Sequence, residues 1–377
     1  MPEVKDYNMG RKPDVEFDGK LYEFPSNKEL GINFPFQLYI PNNIRANCDL
    51  IVTGRTPGEP NNLPLEENIE LAKTMKFSYI SRVLSSKYGN PMLLPVIPRC
   101  HGIQSTSLGY LCHHNDYHEA IEWIDKGWLN ISKEELHLFD NLDEQILKMI
   151  EYSLNFLKSK GYEADEKIVI NGYSAAASFA SLFSVLHPEH IKAIIAGGNG
   201  GEIFLPLKEY KEWTLDYPLG INDLPNFNYE LFKNIKKFYY IGSDDFNTPA
   251  IPMCEMQIER YDESGNPIFV RDESGNKIPV KDESGSMILK LDKDGNMIAN
   301  YGEGYYSNYQ INFLNKGISP DQQKRFEYAQ DIYESLGIDA IFNKYPGNHA
   351  TVNESDALYD DVFNFYEKNI LNRDKNL

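Results

Sequence analysis

The segment 167–187, KIVINGYSAAASFASLFSVLH, constrains the fold of this chain more than any other. Its first five residues read as a short apolar strand, and residues 174–187 read as a helix. Between them lies Gly172-Tyr173-Ser174-Ala175-Ala176. A strand that turns this sharply into a helix needs small residues two positions either side of the serine, because the helix presses on the strand there. Gly172 meets that need, and Ala176 meets it with alanine where a second glycine would complete Gly-x-Ser-x-Gly. Such an elbow presents the serine hydroxyl at the edge of a sheet, with the Ala175 N–H beside it. The plain alternative is an ordinary strand-to-helix connection in which the serine caps the helix.

The flanking sequence continues the alternation. Strands are expected at 34–41 (FPFQLYIP), 49–53 (DLIVT), 92–97 (MLLPVI), 191–196 (IKAIIA), 236–241 (KKFYYI) and 340–345. Helical spacing runs through 65–88, 141–160, 320–336 and 356–370. Strands alternating with helices predict an α/β protein, with a mostly parallel central sheet covered by helices on both faces. The expected organisation is an N-terminal extension over 1–33 and one α/β domain over 34–377, with an insert at 255–304.

The insert is a repeat of period ten: DESGNPIFVR, DESGNKIPVK, DESGSMILKL and DKDGNMIANY, with Asp262, Asp272, Asp282 and Asp292 in register. Aspartate can bond the backbone ahead of it and glycine supplies positive φ, so each unit has hairpin-turn chemistry. A small antiparallel β-hairpin meander is expected. A calcium loop is the competing reading of DKDGN, but its glycine is the fourth residue, where an EF-hand loop needs it sixth.

Composition limits the partners. A formal charge of −19 repels nucleic-acid phosphates and anionic lipid. No apolar run approaches the roughly 20 residues of a membrane span. The four cysteines have neither zinc-like nor disulfide-dense spacing, and the first residues lack a signal-peptide core. A cytoplasmic protein without cofactor is therefore expected.

An exposed serine at an elbow is a nucleophile if a histidine and an acid follow it in the chain. Three histidines follow Ser174. His187 and His190 lie at the far end of the helix that Ser174 opens, about 20 Å away at 1.5 Å per residue. His349, in FNKYPGNHATV, falls between the last strand and the last helix and is the expected base. Of twelve aspartates between Ser174 and His349, Asp244 and Asp245 directly follow a convincing strand. The spacing from Gly242 favours Asp245, with Asp244 as fallback.

On these residues the chain resembles serine esterases related to polyhydroxybutyrate depolymerases and feruloyl esterases, most closely an uncharacterised bacterial branch. The resemblance rests on VINGYSAAASFASLFSVLHPEHIKAIIAGGNGG, LLPVIPR, YYIGSDD and YPGNH, and it covers roughly 34–370 outside the repeat. It implies triad roles for Ser174, Asp245 and His349, and it implies no substrate.

A second oxyanion donor is expected after LLPVI, at Cys100 if Pro98-Arg99 ends the strand, or at Ile103 if Cys100-His101-Gly102 forms a His-Gly pair; Cys100 is preferred. Arg99, Tyr110 and Tyr173 are the expected substrate contacts. The loop LGYLCHHNDYHEA groups Cys112, His113, His114, Asp116 and His118, which pocket lining or solvent explains better than a metal. The expected activity is cleavage of a small or oligomeric carboxylic ester. The competing reading is a non-catalytic binding protein that uses the repeat as its interaction surface. A second copy of the chain is a further candidate partner for that insert.

Overall fold

The computed structural model describes residues 3–8, 18–54, 62–75, 77–100, 118–199, 203–246, 254–261, 267–271, 278, 280–283, 287–298 and 306–371. Its centre is a nine-stranded sheet. In chain order the strands are β1 (Glu3–Asn8), β2 (Asp18–Phe24), β3 (Phe36–Pro41), β4 (Ile51–Thr53), β5 (Met92–Pro95), β6 (Ile168–Tyr173), β7 (Ile191–Gly197), β8 (Lys236–Gly242) and β9 (Ala340–Tyr345). Their spatial order is β1-β2-β3-β5-β4-β6-β7-β8-β9. The first three pairings are antiparallel, and every pairing from β5 to β9 is parallel. Counted from β2, this order and its single antiparallel second strand are those of the α/β-hydrolase fold.

Both faces of the sheet are covered, which explains why its strands read as unbroken apolar runs. Along β6, Ile168 and Ile170 join one buried layer and Val169 the other. Along β8, Tyr239 and Ile241 face the first layer, Phe238 and Tyr240 the second. Each fully buried aliphatic side chain contributes about 1.5–3 kcal/mol relative to exposure.

The helices are α1 (Leu65–Lys73), α2 (Tyr79–Tyr88), α3 (His118–Asp125), α4 (Leu142–Ser159), α5 (Ala175–Leu186), α6 (Gln322–Ser335) and α7 (Asp356–Tyr366), with shorter turns between. On α4, Leu142, Ile146, Met149, Ile150 and Leu157 form the buried stripe that its spacing predicts. No described helix is long and apolar enough to cross a membrane.

Two expectations change. The helical spacing over 65–88 is two helices, because Leu65 packs into the first apolar layer while Ile80, Val83 and Leu84 pack into the second. Ser78 starts α2 by accepting from Ser81 N. Residues 1–33, read as an extension without assigned strands, contribute β1 and β2, which extend the sheet outward from β3.

In the insert, Ile258–Tyr261 pairs antiparallel with Pro267–Phe269. Lys281 bridges Met287, and Leu291 bridges Met297. The N–H groups of Ile278, Ile288 and Ile298 donate to Val270, Val280 and Lys290 carbonyls, each at 3.0 Å, so these bonds repeat every ten residues. At the last turn the Asp292 carboxylate accepts from Asn296 N at 2.8 Å and Asp294 N at 2.9 Å. Those bonds, the Asn296 backbone first, hold its carboxyl below the usual range. Asn308 Nδ2 to Asp292 and Asn312 Nδ2 to Asn296 tie the turn to the short helix Asn308–Asn312.

Candidate active site

Ser174, Asp245 and His349 each lie just beyond the carboxyl end of a parallel strand, respectively β6, β8 and β9. Parallel strands end on a common edge, so three residues far apart in sequence converge there.

The elbow is built as its residue sizes require. Ser174 sits at φ 60°, ψ −130°, a conformation that L-residues rarely adopt, and its N–H is anchored to the Gly197 carbonyl at 2.9 Å. A Cβ on Gly172 would lie 1.8 Å from the Ala176 carbonyl oxygen, so no side chain fits there. At the other small position, the Ala176 methyl is accommodated because Gly54 stands opposite, where a Cβ would come within 3.1 Å of it. Gly172→Ala is therefore expected to destabilise the protein by about 2–3 kcal/mol, through a forced backbone shift. Thermal unfolding of the purified variant checks this; an unchanged Tm would contradict it.

Behind the elbow, buried Asn171 donates from Nδ2 to the Ile195 carbonyl at 2.8 Å and accepts from Ser81 Oγ at 2.9 Å and from Ser78 Oγ. This network fixes β6 one residue before the turn. Ala175 is the first residue of α5, so its N–H is among the amides that helix geometry leaves without an intrahelical acceptor.

His349 lies between the other two residues. Its Nδ1 is 2.8 Å from Asp245 Oδ2, and its Nε2 is 3.0 Å from Ser174 Oγ. A carboxylate only accepts, so the ring proton belongs on Nδ1 and Nε2 is left to accept from the serine hydroxyl. Asp245 is fully buried, whereas a quarter of the His349 side chain is exposed. The two loops are laced together: Ser243 N donates to Tyr345 O at 2.7 Å, and Asp244 N to Gly347 O at 3.0 Å. Asp244, the fallback acid, is exposed and bonded to Ser243 Oγ at 3.3 Å.

Tyr173, expected at the substrate, is turned toward the histidine loop. Its hydroxyl donates to the His349 carbonyl at 2.5 Å, and its ring centroid is 5.1 Å from the imidazole. Burial, with the Asp245 charge second, pushes its phenol well above the ordinary range, so it stays a donor. Arg99 is buried, and its carbonyl accepts from Asn68 Nδ2 at 3.3 Å. Cys100 is buried too, and burial pushes its thiol up to about 12. Ile103, Tyr110 and the cluster Cys112, His113, His114 and Asp116 lie outside the described residues, as does the side chain of His118. His187 is buried and paired with Asp143 Oδ2 at 2.9 Å, remote from the elbow as helix length requires.

Sequence reasoning missed the two glutamines that open α6. Gln322 Nε2 donates to the Asp245 carbonyl and, at 3.1 Å, to Asp245 Oδ1. Gln323 Nε2 donates to the carbonyls of Gly242 and Asp245, both at 2.8 Å. Nothing local in DQQKRF distinguishes such a pair from any helix start.

No family model and no curated protein matches the sequence. Solved structures do show likeness. Poly(aspartic acid) hydrolase-1 from Sphingomonas sp. KT-1 is 12% identical with a TM-score of 0.45, over 96% of this chain and 99% of that one. LpqC, a poly(3-hydroxybutyrate) depolymerase from Bordetella parapertussis, is 11% identical with a TM-score of 0.45, over 92% and 94%. An S-formylglutathione hydrolase from Agrobacterium tumefaciens is 10% identical with a TM-score of 0.38, over 96% and 99%. The fold assignment rests on strand order and pairing rather than on these likenesses, and they carry no substrate to this chain.

Proposed function

We propose that this chain is a serine hydrolase that cleaves carboxylic esters through an acyl-enzyme. The observation that carries the reading is the placement of His349, within hydrogen-bond distance of both the Ser174 hydroxyl and the Asp245 carboxylate. His349 Nε2 takes the hydroxyl proton as Ser174 Oγ attacks the ester carbonyl. The negative charge that develops on the carbonyl oxygen falls beside the first amides of α5, with Ala175 N–H as one donor. Cys100 N–H, five residues past the end of β5, is proposed as the second donor.

The imidazolium formed in the attack is stabilised by Asp245 and returns the proton to the leaving alkoxide. A water then loses a proton to His349 and attacks the acyl-enzyme, which releases the acid and restores Ser174. Esters fit better than amides because an alkoxide needs less assistance to leave.

Hydrolysis of p-nitrophenyl acetate and butyrate tests the reading. The expected result is turnover by the wild type that the Ser174→Ala protein lacks. No turnover above that control at any acyl length would remove the esterase reading and favour a binding role.

A further inference from the structure

We infer that Gln322 is a positioning residue for the acid, holding the Asp245 carboxylate in the orientation that receives the His349 Nδ1 proton. The inference rests on the esterase reading above and concerns how its site is held. Its basis is that the two oxygens of the Asp245 carboxylate meet different side chains. Oδ2 faces His349 Nδ1 at 2.8 Å, and Oδ1 faces Gln322 Nε2 at 3.1 Å. The terminal torsion of an aspartate is broad and weakly restrained by itself. With each oxygen held from a different side, the plane of the carboxylate is fixed.

The chemistry of the donor matters. A lysine or arginine at this position would neutralise Asp245 and weaken its attraction for the imidazolium. A primary amide supplies an N–H without a charge, so it supports the ionised carboxylate and leaves its full charge for His349. The amide orientation follows from the same neighbours. Turned over, Gln322 Oε1 would face the Asp245 carbonyl and carboxylate, three acceptors with no proton among them. In the orientation present, Oε1 is buried and has no hydrogen-bond partner among the described residues.

The position also links the site to the repeat. The chain leaves the sheet after Asp245 and returns as α6, whose first residue, Gln322, is 2% exposed and bonded to the residue where the excursion began. Asp321 caps that helix by accepting from Gln323 N at 2.9 Å, and Gln323 ties the same loop through main-chain carbonyls. The chain before the insert and the helix after it thus meet at the acid.

Two variants test the inference. Gln322→Met keeps the side-chain length and removes the donor. It is expected to lower kcat on p-nitrophenyl acetate on the order of tenfold, with KM within about twofold of wild type. Gln322→Glu places a second carboxyl group against Asp245. The added negative charge favours the imidazolium, so the acid limb of the kcat/KM profile is expected to move to higher pH.

The downfield proton resonance of the His349–Asp245 bond reports the same contact without turnover, and it is expected to shift or vanish in Gln322→Met. Wild-type kinetics for Gln322→Met, with an unmoved limb in Gln322→Glu and an unmoved resonance, would overturn the inference. If Gln322→Met does not fold, Gln322→Ala replaces it: a lowered kcat with a moved resonance supports the role, and wild-type values of both remove it. Loss of the esterase reading looks different, because the wild type itself would then be inactive while the resonance still reports on Gln322.

Discussion

Replacing Ser174 by alanine is expected to lower kcat on an activated ester by roughly 10³–10⁶-fold, the span seen when a nucleophile that works as a unit with its base is removed. The reaction then has no Oγ to form the acyl-enzyme, and only the oxyanion donors and substrate binding remain. Folding should survive, because the Ser174 side chain is not the helix cap: no side-chain capping bond is made at that position. What the position does carry is strain, at φ 60° and ψ −130°. Alanine leaves that strain in place, whereas glycine adopts such angles without penalty. Ser174→Gly should therefore be inactive yet more stable than Ser174→Ala, by about 1–3 kcal/mol. Progress curves and thermal unfolding on the three proteins separate the two effects. An alanine variant with more than about a tenth of wild-type kcat would contradict the nucleophile assignment.

Changing Asp245 to asparagine should reduce kcat by about 10⁴-fold. The contacts around Asp245 explain why the loss should be so large for a single-atom change. Gln322 Nε2 donates at the Oδ1 side, so the new amide turns its oxygen toward Gln322 and its NH2 toward His349. An NH2 cannot accept from Nδ1–H, so the ring proton moves to Nε2. A protonated Nε2 no longer takes the proton from Ser174. Asp244→Asn, one residue away, changes an exposed turn and should leave kcat within about twofold. Equal losses in the two variants would mean that the acid has been misassigned.

The legible parts of the site are those whose chemistry is local or whose alternatives are few. The elbow is written in five consecutive residues, because a Cβ at Gly172 cannot coexist with the helix entry. His349 follows from elimination among three histidines, and helix length removes the other two. Asp245 follows from an apolar strand that stops at Gly242.

What the sequence conceals depends on contacts made over long range. Gln322 meets Asp245 across 77 positions, and the hydroxyl of Tyr173 reaches the His349 carbonyl across 176. No periodicity predicts either contact. Strand β2, second from the sheet edge, escaped notice because its buried residues, Gly19, Leu21 and Phe24, make only a short, mixed pattern. The break between α1 and α2 is hidden because both helices are apolar on their inner sides, although they serve opposite faces of the sheet.

The most direct measurement of the central claim is the site of covalent modification by a fluorophosphonate. Such reagents phosphonylate a serine whose hydroxyl is activated by a neighbouring base. Intact mass and peptide mapping after labelling should show one equivalent on the wild type, located at Ser174, and none on Ser174→Ala. Label on another residue, or equal label on both proteins, would contradict the account.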